Sequence, residues 1–241
     1  MAPRPDVIPP RFLNMAAGEQ FRLLRTHLQF LEMSRELRTV LVTSAGPCAG
    51  KSFVASALAL VMAQNGRRTV LVDANLRTPT LHHWFHCDTT KGLTTLLEQG
   101  GPSRSFLVAG PAEQLFILPS GPTPAHPAEL AGSPIMQAAL SDLRQWADIV
   151  VIDSPPVLGI SDTLLLTRYA DGVLYVFRPR SSLRKDDRKA LEQLDKSDAR
   201  ILGAVVNAFG HPAHRPTDAP ERLLSPSASR RRRRSRSARR P

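Results

Sequence analysis

The sequence predicts a doubly wound α/β fold built on a mainly parallel sheet. Three observations predict it. Five short runs, Thr39–Thr43, Thr69–Val72, Ile149–Ile152, Gly172–Phe177 and Ile201–Val206, are near-continuous aliphatic stretches rather than alternating ones, the pattern of strands buried on both faces. Helical segments separate them, as crossover connections require. Apolar residues make up 42% of the chain but aromatics only 5%, so the core must be mostly aliphatic, which suits this architecture.

The elements follow in order. Pro3, Pro5, Pro9 and Pro10 block helix over residues 1–14, which read as an extended arm. Ala16–Ser34 is predicted helical, with Phe21, Leu24, Leu28 and Leu31 on one stripe. The strand Thr39–Thr43 runs into a Gly-rich turn and an Ala/Leu helix, Lys51–Gln64, stopped by Asn65-Gly66. Thr69–Val72 ends in Asp73, and Ile149–Ile152 ends in Asp153. Between them, residues 77–121 alternate short helical pieces with turns, and Leu115–Leu118 is a further strand. Helices are expected at Pro134–Ala147, Asp162–Tyr169 and Arg184–Leu194. One domain over residues 15–210 accounts for these elements. From 211 to 241, Pro, Ser, Ala and Arg dominate, and too little apolar surface remains to offset chain entropy, so a disordered tail is expected.

Charge is unevenly spread. Of the net +11, +8 lies in that tail, whose ten arginines face only Asp218 and Glu221. A basic tail suits a polyanion such as an anionic membrane surface. With no aromatic interleaved in the run Arg230–Arg234, base stacking has no platform, and sequence-specific nucleic-acid binding is not expected. Two cysteines, Cys48 and Cys87, make no disulfide framework. The N-terminus has no apolar signal region, and the longest apolar stretch, Phe53–Ala63, is too short to span a bilayer, so a cytoplasmic protein is expected.

The chemistry concentrates after the first strand. The stretch Ala45-Gly46-Pro47-Cys48-Ala49-Gly50-Lys51-Ser52, running on into Phe53, lies between a buried strand and a helix. Successive backbone N–H groups in such a turn wrap a phosphate chain, and the helix N-terminus adds its dipole. Lys51 would reach the β- and γ-phosphates, and the Ser52 hydroxyl would ligate Mg²⁺. Asp73 and Asp153 each end an aliphatic strand, which puts both at the carboxyl edge of the sheet beside this loop. There a carboxylate can hold the metal or orient an attacking hydroxyl; each alone could equally be a turn or helix cap. Lys51, Asp73 and Asp153 are thus the candidate catalytic residues, and ATP with Mg²⁺ the expected cofactor.

The chain resembles the bacterial tyrosine kinases of capsule and exopolysaccharide synthesis, related to the septum- and chromosome-positioning ATPases. The phosphate loop is similar to the family's first Walker motif, with Ala45 where the first Gly is usual. Val70–His82 (VLVDANLRTPTLH) resembles the second, Val150–Leu158 (VVIDSPPVL) the third, and Leu118–Leu130 a further segment, with His126 in place of Asn. Glu19, Arg22 and Arg25 match the Glu-x-x-Arg-x-x-Arg element by which these kinases assemble into rings. The resemblance implies that Asn207 contacts the adenine. It also implies a membrane polysaccharide co-polymerase as activator, a homo-oligomeric ring, and a place at the inner face of the plasma membrane. The positioning ATPases carry a Lys where this chain has Gly46, and a Gly supplies no cationic contact.

Two departures bear on activity. Asn75 stands where the family has a second acid; an amide is a poor base, and if that acid activates the tyrosine hydroxyl, Asn75 should slow transfer by at least about 10²-fold while nucleotide binding survives. The tail holds no tyrosine, and the chain has only Tyr169 and Tyr175, the second inside an aliphatic strand. Two function classes stay open: a tyrosine kinase, and an ATP-gated oligomeric switch without useful transfer. Weaker signals are the set His82, His83, His86 and Cys87, in which His82 and His86 have metal-ligand spacing; Cys48, which is either a reactive thiol or a small residue fitting a tight loop; and the basic patch Arg178, Arg180, Arg184 and Lys185.

Overall fold

Residues 16–178 and 185–207 are described by the computed structural model; the predicted N-terminal arm and Arg-rich tail lie outside them. The chain runs α1 (Ala16–Ser34), β1 (Thr39–Thr43), α2 (Lys51–Gln64), β2 (Thr69–Asp73), α3 (Leu81–Phe85) and α4 (Leu93–Gln99). It continues through β3 (Val108–Ala109), β4 (Leu115–Leu118), α5 (Pro127–Ala131), α6 (Pro134–Trp146), β5 (Ile149–Asp153) and α7 (Asp162–Leu166), then β6 (Gly172–Phe177), α8 (Lys185–Lys196) and β7 (Ile201–Val206).

The strands form one sheet in the order β3-β4-β2-β5-β1-β6-β7. All neighbours are parallel except β3, which pairs antiparallel with β4 at the edge. Successive side chains of a strand point to opposite faces. Val40 and Val42 of β1 therefore join α1 and α2 in one apolar layer, while Leu41 joins α4, α6, α7 and α8 in the other. Burial on both faces is what made these strands read as unbroken aliphatic runs. β7 departs from that expectation: as an edge strand it leaves Ile201, Ala204 and Val206 exposed.

Helix α2 is buried from Val54 to Ala63, wedged between the sheet and α1. Its N-terminus opens directly from the turn after β1. Its C-terminus is held by Arg25 of α1, which donates to the carbonyl of Val61 at 3.2 Å. That carbonyl belongs to the last turn, whose acceptors lack intrahelical partners, and a cation is favoured at that end of the dipole. The predicted helix Asp162–Tyr169 proves to be two pieces, since Thr167–Tyr169 tightens to a 3₁₀ turn.

Candidate active site

The turn after β1 reverses the chain with two left-handed residues, Cys48 at φ 59° and Gly50 at φ 88°. Gly50 has a second reason to lack a side chain: a Cβ there would collide with the amide of Asn207 at the end of β7. That amide donates to the Ala49 carbonyl at 3.0 Å, bracing the loop from across the sheet edge. At the other end, Val157 and Leu158 N–H groups donate to the carbonyls of Ser44 and Ala45 at 2.9 and 3.1 Å. The loop is thus fastened on both sides before any ligand binds.

Parallel pairing sets Asp73 opposite Asp153 across β2 and β5. Both are fully buried, but their surroundings differ. Asp73 accepts backbone N–H groups from Asn75 at 3.3 Å and from Thr80 and Leu81 at 3.1 Å each, so it closes its own loop. Neither oxygen of Asp153 has a hydrogen-bond partner. The Ser52 hydroxyl and the Lys51 ammonium lie near enough to favour its ionised form, though the hydroxyl makes no bond of normal geometry to it. Burial outweighs both and raises Asp153 to about 6. Burial, then the charge of Asp153, raises Asp73 to about 8 against its three N–H donors. Lys51 is itself buried, which lowers its pKa; Asp153 and Cys48 partly offset that.

A buried carboxylate with two open oxygens, beside a hydroxyl and an ammonium, is unsatisfied as it stands. Hard oxygen donors of this kind suit Mg²⁺, so Asp153 and Ser52 fit the metal that the loop chemistry calls for. Asp73 fits less directly, because its oxygens are already occupied by backbone donors. Beside the loop opens a cleft of about 300 Å³, bordered by Gly46, Pro47, Leu158, Arg178 and Asp187. A larger but open hollow, of about 550 Å³ at Gly159, Ser161 and Lys196, lies away from Lys51 and Asp153.

The remaining predicted residues fall into place unevenly. Phe53 sits between the rings of Phe21 and Trp84, so it packs α2 against its neighbours. On α1, Arg22 pairs with Glu19, while Arg25 turns inward to Val61. Tyr175 is buried and donates to Asp187 at 2.9 Å, and burial followed by that carboxylate raises its pKa. Tyr169 donates to the Ser133 carbonyl at 3.4 Å. The histidine spacing in the set His82, His83, His86 and Cys87 makes no metal centre: among the described residues no group of three or more His, Cys, Asp or Glu is placed to hold a metal ion. His82 and His83 are neighbours with ring centroids 3.8 Å apart, and His86 ends α3 in the left-handed conformation. Cys48 is exposed. Of the basic patch, Arg178 and Lys185 are described, and Arg180 and Arg184 lie outside the described residues.

Two site contacts went unread in the sequence. Asn75 donates to the Thr78 carbonyl at 2.9 Å, a bond an aspartate could not make, while its Oδ1 accepts from the Thr78 N–H at 3.3 Å, which an aspartate could also do. Arg77 grips Asp162 with two bonds, at 2.9 and 3.0 Å. Arg77 lay in a quoted motif, but Asp162 looked like any acid in the first turn of a helix.

The ParA family model, described as NUBPL iron-transfer P-loop NTPase, matches residues 37–219. The tyrosine-protein kinase YwqD of Bacillus subtilis is 36% identical over 198 residues, which is 82% of each chain. The chain belongs to the bacterial tyrosine kinase family, within the P-loop NTPases. Among solved structures, this kinase-family chain is similar to the kinase domain of the Escherichia coli tyrosine kinase ETK, with a TM-score of 0.77 and 29% identity over 86% of this chain and 82% of that one. It is also similar to the chimerical protein CapA2B2, with a TM-score of 0.76 and 31% identity over 80% and 85%. The septum site-determining protein MinD of Pyrococcus horikoshii, complexed with Mg-ADP, shares the fold, with a TM-score of 0.62 and 22% identity over 73% and 72%. Some relatives are much longer. The tyrosine-protein kinase wzc of Salmonella typhimurium is 29% identical over 80% of this chain, which is only 27% of its own length.

Proposed function

We propose that this chain is an ATP- and Mg²⁺-dependent protein-tyrosine kinase serving capsule or exopolysaccharide polymerisation and export. The observation that carries the proposal is Asp153, buried without a hydrogen-bond partner beside Lys51 and Ser52. In this reading the N–H groups of Gly46, Cys48, Ala49, Gly50 and Lys51 bind the phosphates, Pro47 having none to give, and Lys51 balances charge on the β- and γ-phosphoryl oxygens. Ser52 and Asp153 would hold Mg²⁺, whose charge would offset that of the phosphates. Asn207, against the loop at Ala49, contacts the adenine in this reading.

Deprotonation of the acceptor is the weak step. Asn75 is neutral and committed to Thr78, and although burial raises the pKa of Asp73, its carboxylate is already engaged by three backbone N–H donors of its own loop. A loose phosphoryl-transfer transition state needs little help from a base, so positioning and charge can carry the reaction at reduced rate. Both tyrosines of the chain are engaged internally, so the acceptor tyrosine belongs to another protein. A membrane co-polymerase acts as activator, and α1 supports ring assembly through Glu19, Arg22 and Arg25. The Arg-rich tail tethers the protein to the anionic inner face of the plasma membrane.

A second reading, an ATP-gated switch that assembles without transferring phosphate, is favoured specifically by Asn75 and its turn. Incubating the purified chain with γ-labelled ATP and Mg²⁺, with and without the cytoplasmic segment of the co-polymerase, separates the two. Label on tyrosine that vanishes in Lys51→Met supports the kinase. Bound ATP with no label under either condition leaves the switch.

A further inference from the structure

Three loops meet at the carboxyl edge, and the bonds between them form a chain. Residues 154–158 are stitched to the phosphate loop through Ser44 and Ala45, and the Ser154 hydroxyl donates to the Val42 carbonyl at 2.9 Å. Loop 74–80 mostly closes on itself, through Asp73, Asn75 and Thr78. Among the described residues, the polar contacts that join the two are the backbone bond from Ala74 N–H to the Asp153 carbonyl, at 2.9 Å, and the pair Arg77–Asp162, beside the packing of Ala74 and Leu76 in the same apolar layer as Val157 and Leu166. The carboxylate of Asp162 is 1% exposed, while the Arg77 side chain is 39% exposed, so the guanidinium lies as a lid over a buried acid. The planar fork meets both oxygens, a geometry that fixes direction as well as distance and that a lysine cannot reproduce.

We propose that Arg77 and Asp162 are positioning residues that clamp the Asp73 loop to the Asp153 loop and thereby set the affinity of the site for Mg²⁺ in the presence of nucleotide. The proposal rests on the nucleotide reading above and adds to it which contact prepares the metal site. The route is physical. Asp73 is aimed by the N–H groups of Thr80 and Leu81, which lie at the far end of the loop that Arg77 anchors at its middle. Loosening the anchor lets those donors drift, and with them Asp73, whose carboxylate stands opposite the metal-holding Asp153 across the strand pair. On the other side, Asp162 begins α7 and fixes where the chain leaving Asp153 must end. The phosphate loop has a fastening of its own, the Asn207 amide at Ala49, besides the bonds from Val157 and Leu158, so nucleotide contacts made through it depend less on the clamp than the metal site does.

The test uses the full chain, with Arg77→Lys and Asp162→Asn as separate variants. ADP is titrated by thermal shift first in EDTA and then with increasing Mg²⁺, and Lys51-dependent transfer is measured in parallel. Both variants should bind ADP in EDTA within about twofold of the parent, need at least about tenfold more Mg²⁺ for the metal-dependent shift, and lose kcat at least about tenfold with KM for ATP unchanged. Hydrogen exchange of the unmutated chain supplies a readout that needs no variant: residues 74–81 and 154–162 should gain protection together on adding Mg-ADP. A folded variant with the parent's Mg²⁺ requirement, or segments that become protected independently, overturns the clamp and leaves a structural pair. A parent that no nucleotide stabilises overturns the nucleotide reading, and the clamp with it.

Discussion

The side-chain amide of Asn207 lies 3.0 Å from the carbonyl of Ala49, in the space where a Cβ on Gly50 would project. The last strand and the phosphate loop are therefore fitted to each other at one point. Gly50→Ala should both strain a left-handed backbone and displace that amide, costing about 1–3 kcal/mol of stability and most of the nucleotide affinity. Adding Asn207→Ala removes the collision but not the strain, so the double variant should regain part of the stability lost. Chemical denaturation of the two single variants and the double variant closes the cycle.

The two strand-end aspartates predict how stability varies with pH when Mg²⁺ and nucleotide are absent. Asp73 at about 8 and Asp153 at about 6 both lie above the unfolded carboxylate value of 3.8. Between the unfolded and folded values the folded state holds more protons, so stability falls as pH rises. The decline should run from about pH 4 to about pH 8. Asp153→Asn should flatten part of it. Denaturant midpoints at pH 5, 6, 7 and 8 in EDTA give the slope, and a midpoint that rises with pH would contradict the burial of these acids.

Asn75→Asp restores an acid at the position where the family carries one. Transfer to an added tyrosine substrate should speed up by as much as about 10²-fold if that carboxylate serves as base. The same change removes the amide N–H donated to Thr78, so the variant should also be less stable by about 1 kcal/mol. Initial rates and urea midpoints measured on one preparation test both halves.

Arg25 and Glu19 sit on the same helix but should behave differently in dilute monomer. Removing Arg25 leaves the Val61 carbonyl without its charged donor, a loss of about 2 kcal/mol. The Glu19–Arg22 pair is solvent-facing, so Glu19→Ala should stay within about 0.5 kcal/mol of the parent. Equal losses from both in a urea titration would place the role of Arg25 outside the monomer.

Much of this was legible because burial and local chemistry leave sequence traces. β1, β2, β5 and β6 are covered on both sides and read as aliphatic runs; the phosphate loop announces itself through Gly50, Lys51 and Ser52 between a strand and a helix. β3 escaped notice because two residues, both exposed, carry no periodicity. α7 was drawn too long because Thr167–Tyr169 is compatible with either helix geometry. The different fates of Asp73 and Asp153 were illegible for another reason. Both end a buried strand with the same residue, and only the folding back of loop 74–81 gives one of them three donors and the other none. Pairings between residues far apart in the chain, such as Arg77 with Asp162, leave no mark at either site.

Helix α2 spans 14 residues, a rod of about 21 Å, with its N-terminal amides at the phosphate loop and its last turn in the grip of Arg25. Such a rod, packed along nearly its whole length, has no soft joint at which a push could be absorbed. Any displacement of α1 that the helix followed would reach the far end as a change in where the loop amides point. By thermodynamic reciprocity the message runs both ways with equal strength: an anion that draws the helix toward it also tightens the seat of α1.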